Sequence, residues 1–227
     1  MTIQIVSREA KAFRDRTEAG HLLAEHLADF AGPDALVVAI PRGGVVVGGV
    51  VADDLKCDLE VVVVRKLGAP DNPELAIGSL MEGADEPYVN ERIVRDLGVT
   101  RRYIEEETER QKLEAQRRAQ AYRGNRPKPE IAGRTIIVAD DGIATGATMM
   151  SSIRGVSAQD PERTIVALPV GPPENVDRIA MMVDDLVCLS TPAFFAAVGQ
   201  FYENFGQTTD EEVIEILERF AASRKQV

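Results

Sequence analysis

Four short runs rich in β-branched residues constrain this chain most: Leu36 to Ile40, Leu59 to Val64, Thr135 to Ala139 and Thr164 to Val170. Each is short, with Glu60 the single charge among them, the pattern of a strand buried on both faces, and the intervening stretches are long enough for helices. Leu186 to Leu189 reads as a fifth. Strands alternating with helices predict an α/β fold with a doubly wound, mainly parallel sheet. Ligands of such sheets bind beyond the carboxyl ends of the strands, so chemistry is expected in the loops after Ile40, Val64 and Ala139. Asp15 can cap the first helix with Glu18 three residues on, and Ala19, Leu22, Leu23, His26, Leu27 and Phe30 share one of its faces.

The second and third strands are separated by an excursion of about seventy residues, far longer than an ordinary connection. Within it, Ala76 to Met81 and Tyr88 to Asn90 are spaced for a hairpin, with Glu82, Asp85 and Glu86 in a solvated turn. Thr100 opens a long helix to about Tyr122. Its early glutamates (Glu105, Glu106, Glu107, Glu109) and late arginines (Arg117, Arg118, Arg123) suit the helix dipole, and Glu106 with Arg110 and Glu114 with Arg118 have ion-pair spacing. Pro127 and Pro129 stop the helix, and Thr209 begins a final acidic helix running to Phe220. The expectation is one domain over 1–227, with a helical insertion at about 70–130 and a small C-terminal hood at about 190–208 followed by the last helix.

Lys plus Arg number 26 against 37 Asp plus Glu, a net charge of −11. That balance repels phosphate backbones and anionic lipid, so neither nucleic acid nor a membrane is expected as partner; a small phosphorylated ligand is not disfavoured. The longest apolar stretch, Val45 to Ala52, falls well short of the ~20 residues a membrane-spanning helix needs. Met1 to Phe13 carries Arg8, Glu9 and Lys11 and no apolar segment, so it does not read as a secretory signal. Cys57 and Cys188 make neither a disulfide framework nor a thiolate metal cluster, which places the chain in a reducing cytoplasm. His21 and His26 read as core-edge or surface residues rather than metal ligands.

The most informative stretch is Thr135 to Met150: an apolar strand, the carboxylates Asp140 and Asp141, a small-residue turn and a helix. Gly142, Ala144, Gly146 and Ala147 allow backbone N–H groups to converge at the positive end of the helix dipole, an anion cradle to which Thr145 and Thr148 add hydroxyls. Carboxylates beside such a cradle repel an anion unless they accept hydrogen bonds from ligand hydroxyls or approach a cation. A phosphorylated sugar with a free diol satisfies both requirements. No Walker or Gly-x-Gly-x-x-Gly phosphate motif is present.

This segment resembles the phosphoribosyl diphosphate (PRPP) loop of the type I phosphoribosyltransferases: Asp140, Asp141, Ile143, Ala144, Thr145, Gly146 and Thr148 fit the family pattern. Gly142 departs from it, standing where the family usually has a branched apolar residue, and a lost apolar contact there is expected to loosen the loop. The resemblance covers nearly the full length, including Phe13-Arg14-Asp15-Arg16 and the tail Val198-Gly199-Gln200-Phe201-Tyr202, and points to a prokaryotic branch whose acceptor is unassigned.

It implies that Asp140 and Asp141 bind the ribose hydroxyls, and that Gly142, Ile143, Ala144, Thr145, Gly146, Ala147 and Thr148 hold the 5′-phosphate. Pro41-Arg42-Gly43-Gly44 looks like the family's pyrophosphate loop, with Arg42, the Gly43 and Gly44 amides and Lys66 facing the diphosphate; a plain turn and a solvated strand end are the competing readings for these residues. Mg2+ is the implied cofactor, held mainly by substrate oxygens and with no protein side-chain ligand assigned, and a homodimer the implied assembly. The excursion corresponds to the family's mobile lid, without indicating which arginine enters the site. Phe194, Phe195 and Tyr202 are candidates for the acceptor pocket, although a small core beneath the hood is the better reading for at least three of the five aromatics that these form with Phe201 and Phe205. At Ala144 the 6-oxopurine enzymes carry an Asp, so an adenine- or orotate-type acceptor fits better. The implied reaction is transfer of ribose 5-phosphate from PRPP to a nitrogenous acceptor with release of pyrophosphate; the alternative is a non-catalytic PRPP or nucleotide sensor.

Overall fold

The computed structural model describes residues 2–84, 86–124 and 126–224, with side chains at 74, 223 and 224 left aside. Six parallel strands form the main sheet: β1 (Thr2–Ile5), β2 (Ala35–Ala39), β3 (Asp58–Val61), and, numbered after the strands of the insertion, β7 (Thr135–Ala139), β8 (Arg163–Val170) and β9 (Asp185–Ser190). Their spatial order is β1-β9-β8-β7-β2-β3. From β2 the chain winds outward to β3, and from β7 it winds the other way through β8 and β9. The order therefore reverses between β2 and β7, the place where such sheets open a ligand crevice.

Strand residues divide by parity, Val170 at the end of β8 excepted. Ala35, Val37, Ala39, Ile137, Ala139, Ile165, Ala167, Val187 and Leu189 enter one core, beneath α1 (Arg16–His26), α2 (Gly43–Leu55) and the last helix, α7 (Asp210–Arg224). Leu36, Val38, Ile136, Val138, Val166, Leu168, Leu186 and Cys188 enter the other, beneath α5 (Ala147–Ser157) and α6 (Pro173–Ala180). Burial on both faces is why these strands are apolar without alternation. The Asp15 carboxylate accepts from the Glu18 N–H at 2.9 Å, and Thr209 exchanges backbone and side-chain bonds with Glu212, a capping box.

Two strand expectations need correcting. Leu59 to Val64 is not one strand: the Val62 N–H makes the last bond to Ala39, and Val64 already pairs with Met81 in a second sheet. An apolar run cannot by itself reveal a change of sheet. β1 is not among the strands expected from sequence, because its four residues are too few for their polar–apolar alternation to stand out; it is an edge strand that pairs with β9, and the Thr2 N–H donates to Asp185 at 2.7 Å.

The insertion is as much sheet as helix. β4 (Val64–Ala69), β5 (Asn72–Met81) and β6 (Tyr88–Val89) form an antiparallel sheet, followed by α3 (Glu91–Asp96) and α4 (Arg101–Arg123). Leu67, Ala69, Ile77 and Leu80 give it a small core of its own, while Ala115, Ala119 and Tyr122 of α4 join the main core. Glu114 pairs with Arg118 as the spacing indicates, but Glu106 binds Arg102 and Arg110 binds Glu107. Glu82 is not a solvated turn residue: it faces Arg123 and Lys128 at 3.5 and 4.0 Å, and Arg123 also reaches the buried Glu60. Asp85 lies outside the described residues.

Candidate functional site

The loops after β2 and β7 touch. Gly44 lies so close to the β7 loop that an added Cβ would sit 2.9 Å from the Asp140 Cα and from its Oδ1, and one at Gly43 would overlap the Asp141 carboxylate. Glycine is needed at both positions because the loops approach backbone to carboxylate, not because of a turn. The Pro41–Arg42 peptide preceding them is cis.

The β7 loop is anchored from several sides. The Ile143 side chain is buried and its N–H donates to the Val170 carbonyl at 3.0 Å, while Asn175 of α6 donates to the Ala144 carbonyl at 2.6 Å. Gly146, with φ +72°, turns the chain into α5. Ala144, Thr145, Ala147 and Thr148 are left exposed over that helix start. Two carboxylates thus stand beside an exposed small-residue helix start at the point where the sheet order reverses.

The phosphoribosyl transferase domain model matches residues 15–205 of this chain. The chain belongs to the phosphoribosyl transferase domain family. A crystal structure of TT1426 from Thermus thermophilus is 44% identical, with a TM-score of 0.82, covering 92% of this chain and 99% of that one. Two curated Mycobacterium tuberculosis proteins, from strains CDC 1551 and H37Rv, carry a provisional phosphoribosyl transferase name and are 42% identical over 209 residues, 92% of this chain. The chain spans 47% of the length of those relatives.

Seen as a member of that family, its departure at Gly142 has a structural cause. Gly142 has φ +146°, and a Cβ there would lie 2.7 Å from Val198 Cγ1 and 3.0 Å from Val170 Cγ1. The space a branched residue would fill is taken by Val198 of the hood and Val170 of β8.

Sequence reasoning missed Arg16 as part of this site. At the start of α1, its Nε donates to Asp141 Oδ2 at 2.7 Å, one terminal nitrogen donates to the Gly206 carbonyl at 2.8 Å, and its guanidinium lies 4.0 Å from the Phe205 ring centroid. Phe205 stacks on Tyr202 at 5.1 Å, and the Tyr202 hydroxyl donates to the Asp141 carbonyl at 2.6 Å. Arg16, Phe205, Tyr202 and Asp141 therefore form a closed circuit between the hood and the loop. Burial, then the neighbouring Asp141 charge, pushes Asp140 well above the usual carboxylate range.

Of the candidate acceptor residues, Tyr202 is turned inward within this circuit, Phe195 packs on Phe201 at 5.1 Å, and Phe194 is 90% exposed. His21 pairs with Asp54 at 2.6 Å and His26 contacts Gln4 at 2.9 Å.

A cleft of about 540 Å3 lies between the β2 loop and the insertion, lined by Arg42, Val64, Arg117, Arg118, Tyr122, Thr148 and Asp210 among others. Asp210 accepts from the Tyr122 hydroxyl at 2.7 Å and stands 4.0 Å from Arg42. Burial and Asp210 push the Tyr122 hydroxyl up to about 12. Glu114 holds both Arg117 and Arg118 at 2.8 to 2.9 Å. These are the arginines the insertion brings to the crevice, a choice only the packing of α4 reveals. Lys66 lines an adjacent cavity, with Thr148 on the shared wall.

Among the described residues, no group of three or more His, Cys, Asp or Glu side chains could hold a metal ion. The donors present, Asp140 and Asp141, are hard oxygens. That chemistry fits a magnesium ion that keeps waters and shares the oxygens of a phosphorylated sugar.

Proposed function

We propose that this chain transfers ribose 5-phosphate from PRPP to a nitrogenous, nucleobase-like acceptor and releases pyrophosphate. The observation that carries this reading is the contact of Gly43 and Gly44 with Asp141 and Asp140, which sets a cationic loop and a sugar-binding carboxylate pair against one crevice. PRPP and a small nitrogenous acceptor are its ligands; a cytoplasmic homodimer belongs to the same reading.

Asp140 and Asp141 accept hydrogen bonds from the ribose hydroxyls, and the amides from Gly142 to Thr148, with the Thr145 and Thr148 hydroxyls, hold the 5′-phosphate. The bond from the anomeric carbon to the diphosphate oxygen breaks with its electron pair leaving on pyrophosphate, and the acceptor nitrogen bonds the same carbon. Arg42 and the Gly43 and Gly44 amides meet the growing charge of the leaving group, with Arg117 and Arg118 across the cleft. Mg2+, bound with Asp140, Asp141 and substrate oxygens, would neutralise diphosphate charge. The Ala144 methyl cannot exchange a proton, which favours an adenine- or orotate-type acceptor over a 6-oxopurine. Positioning and electrostatics supply the catalysis.

Isothermal titration of PRPP with and without Mg2+, with Asp141→Asn as control, tests the donor site. Mg2+-dependent heat lost in the variant supports it and justifies an acceptor screen by pyrophosphate release; no heat at millimolar ligand overturns it. Binding without pyrophosphate release for any acceptor would mark a sensor instead.

A further inference from the structure

The cavity on the other side of Thr148 is lined by cations, against the acidic balance of the chain. It measures about 170 Å3 and lies between the side of α5, the second sheet and α6, with Lys66, Ser79, Tyr88, Ser151, Arg154 and Arg178 in its wall. Arg154 and Arg178 face it, with Lys66 in the same wall, and none of the described lining residues is a carboxylate, in a chain whose net charge is −11.

Arg154 and Arg178 have no carboxylate partner among the described residues, although acids outnumber bases in the chain as a whole. Arg154 is nevertheless fixed: its guanidinium lies 3.5 Å from the Tyr88 ring centroid, which occupies one face of the group and leaves its edge donors for a ligand. The floor is polar and self-satisfied. Ser151 Oγ stands 2.8 Å from the Ala147 carbonyl and 2.6 Å from Ser79 Oγ, so with one proton each Ser151 donates to the carbonyl and Ser79 donates to Ser151. Recognition therefore falls to the cations.

We propose that this cavity is a second anion site, separate from the donor crevice, for a small organic oxyanion carrying a phosphate or carboxylate. Its volume equals that of about six waters, room for a phosphate monoester of a few carbons. Thr148 belongs to both cavities, so an occupant here abuts the loop that the proposed function assigns to the 5′-phosphate. The site would accordingly report the level of a small anion to the donor loop, or hold the anionic part of an acceptor.

The probes are glycerol 3-phosphate and succinate, titrated calorimetrically into the parent chain, Arg154→Gln, Arg178→Gln and, for the donor loop, Thr145→Val; melting temperatures confirm folding. Arg154→Lys keeps the charge and, if Arg154→Gln does not fold, replaces it. The expected result is that one or both probes bind, that each arginine variant weakens this binding about tenfold or more, and that Thr145→Val leaves it unchanged. The better probe identifies the headgroup. Neither probe binding, binding indifferent to both arginines, or binding lost with Thr145→Val would overturn the proposal. Failure of the donor reading would look different, as PRPP producing no heat while the arginine-dependent binding persists.

Discussion

The Arg16 guanidinium donates to the Asp141 carboxylate at 2.7 Å across 125 positions of sequence, with the two side chains only 12% and 15% exposed. One carboxylate oxygen is thereby committed and the carboxylate plane set before any ligand arrives. Phe205, stacked beneath the guanidinium, and Tyr202, bonded to the Asp141 backbone, extend the constraint into the hood. On the proposed reading, this makes Arg16 a positioning residue for the carboxylates that would meet the sugar.

Arg16→Gln removes the charge but keeps a polar head. Leaving the mostly buried Asp141 without its counter-ion is expected to cost about 1–3 kcal/mol, and PRPP binding is expected to weaken by about tenfold. Arg16→Lys should recover stability more than binding, because an ammonium cannot repeat both the forked contact and the stack on Phe205. Calorimetry and thermal melting of both variants check this; equal recovery of both quantities would contradict it.

Asp140→Asn is expected to stabilise the unliganded chain at neutral pH while weakening PRPP binding. The folded carboxyl titrates above its ordinary value of 3.8, so its stability penalty is absent below that value and grows as pH rises toward the folded pKa. The amide oxygen can still accept from the Asp141 N–H, a 2.8 Å bond in the parent. Urea denaturation of both proteins should therefore coincide in acid and diverge, variant above parent, at neutral pH.

Gly142→Val, which restores the residue type usual in the family, is expected to destabilise this chain by about 2–4 kcal/mol. It combines a positive φ with a Cβ placed against Val198 and Val170. Val198→Ala in the same chain should recover part of the loss, since it relieves the clash and not the backbone. A double-mutant cycle in denaturant measures the coupling.

Arg123→Ala should loosen the insertion from the main sheet. Arg123 lies between Glu60 at 3.3 Å and Glu82 at 3.5 Å, and its removal leaves Glu60 buried and uncompensated, a cost of about 3–5 kcal/mol. Faster amide hydrogen exchange in β4, β5 and α4 than in β7 and β8 is the expected signature.

Sequence by itself determined the elements whose signals are local. The apolar runs of β2, β7, β8 and β9, the caps at Asp15, Thr100 and Thr209, and the strand, carboxylate pair and small-residue turn from Thr135 to Thr148 all lie within a few residues of what they specify. The phosphate-binding reading came from that last segment because its backbone geometry and its hydroxyls are contiguous. Tertiary structure decided whatever depends on partners distant in the chain: β1 joining β9, the change of sheet at Val64, Glu82 turning to Arg123, Val198 filling the place beside Gly142, and Arg16 meeting Asp141. A lone arginine after a helix cap has no short-range pattern that tells a solvated residue from one that organises a site. Only packing, which fixes which side chains lose water together, makes that distinction.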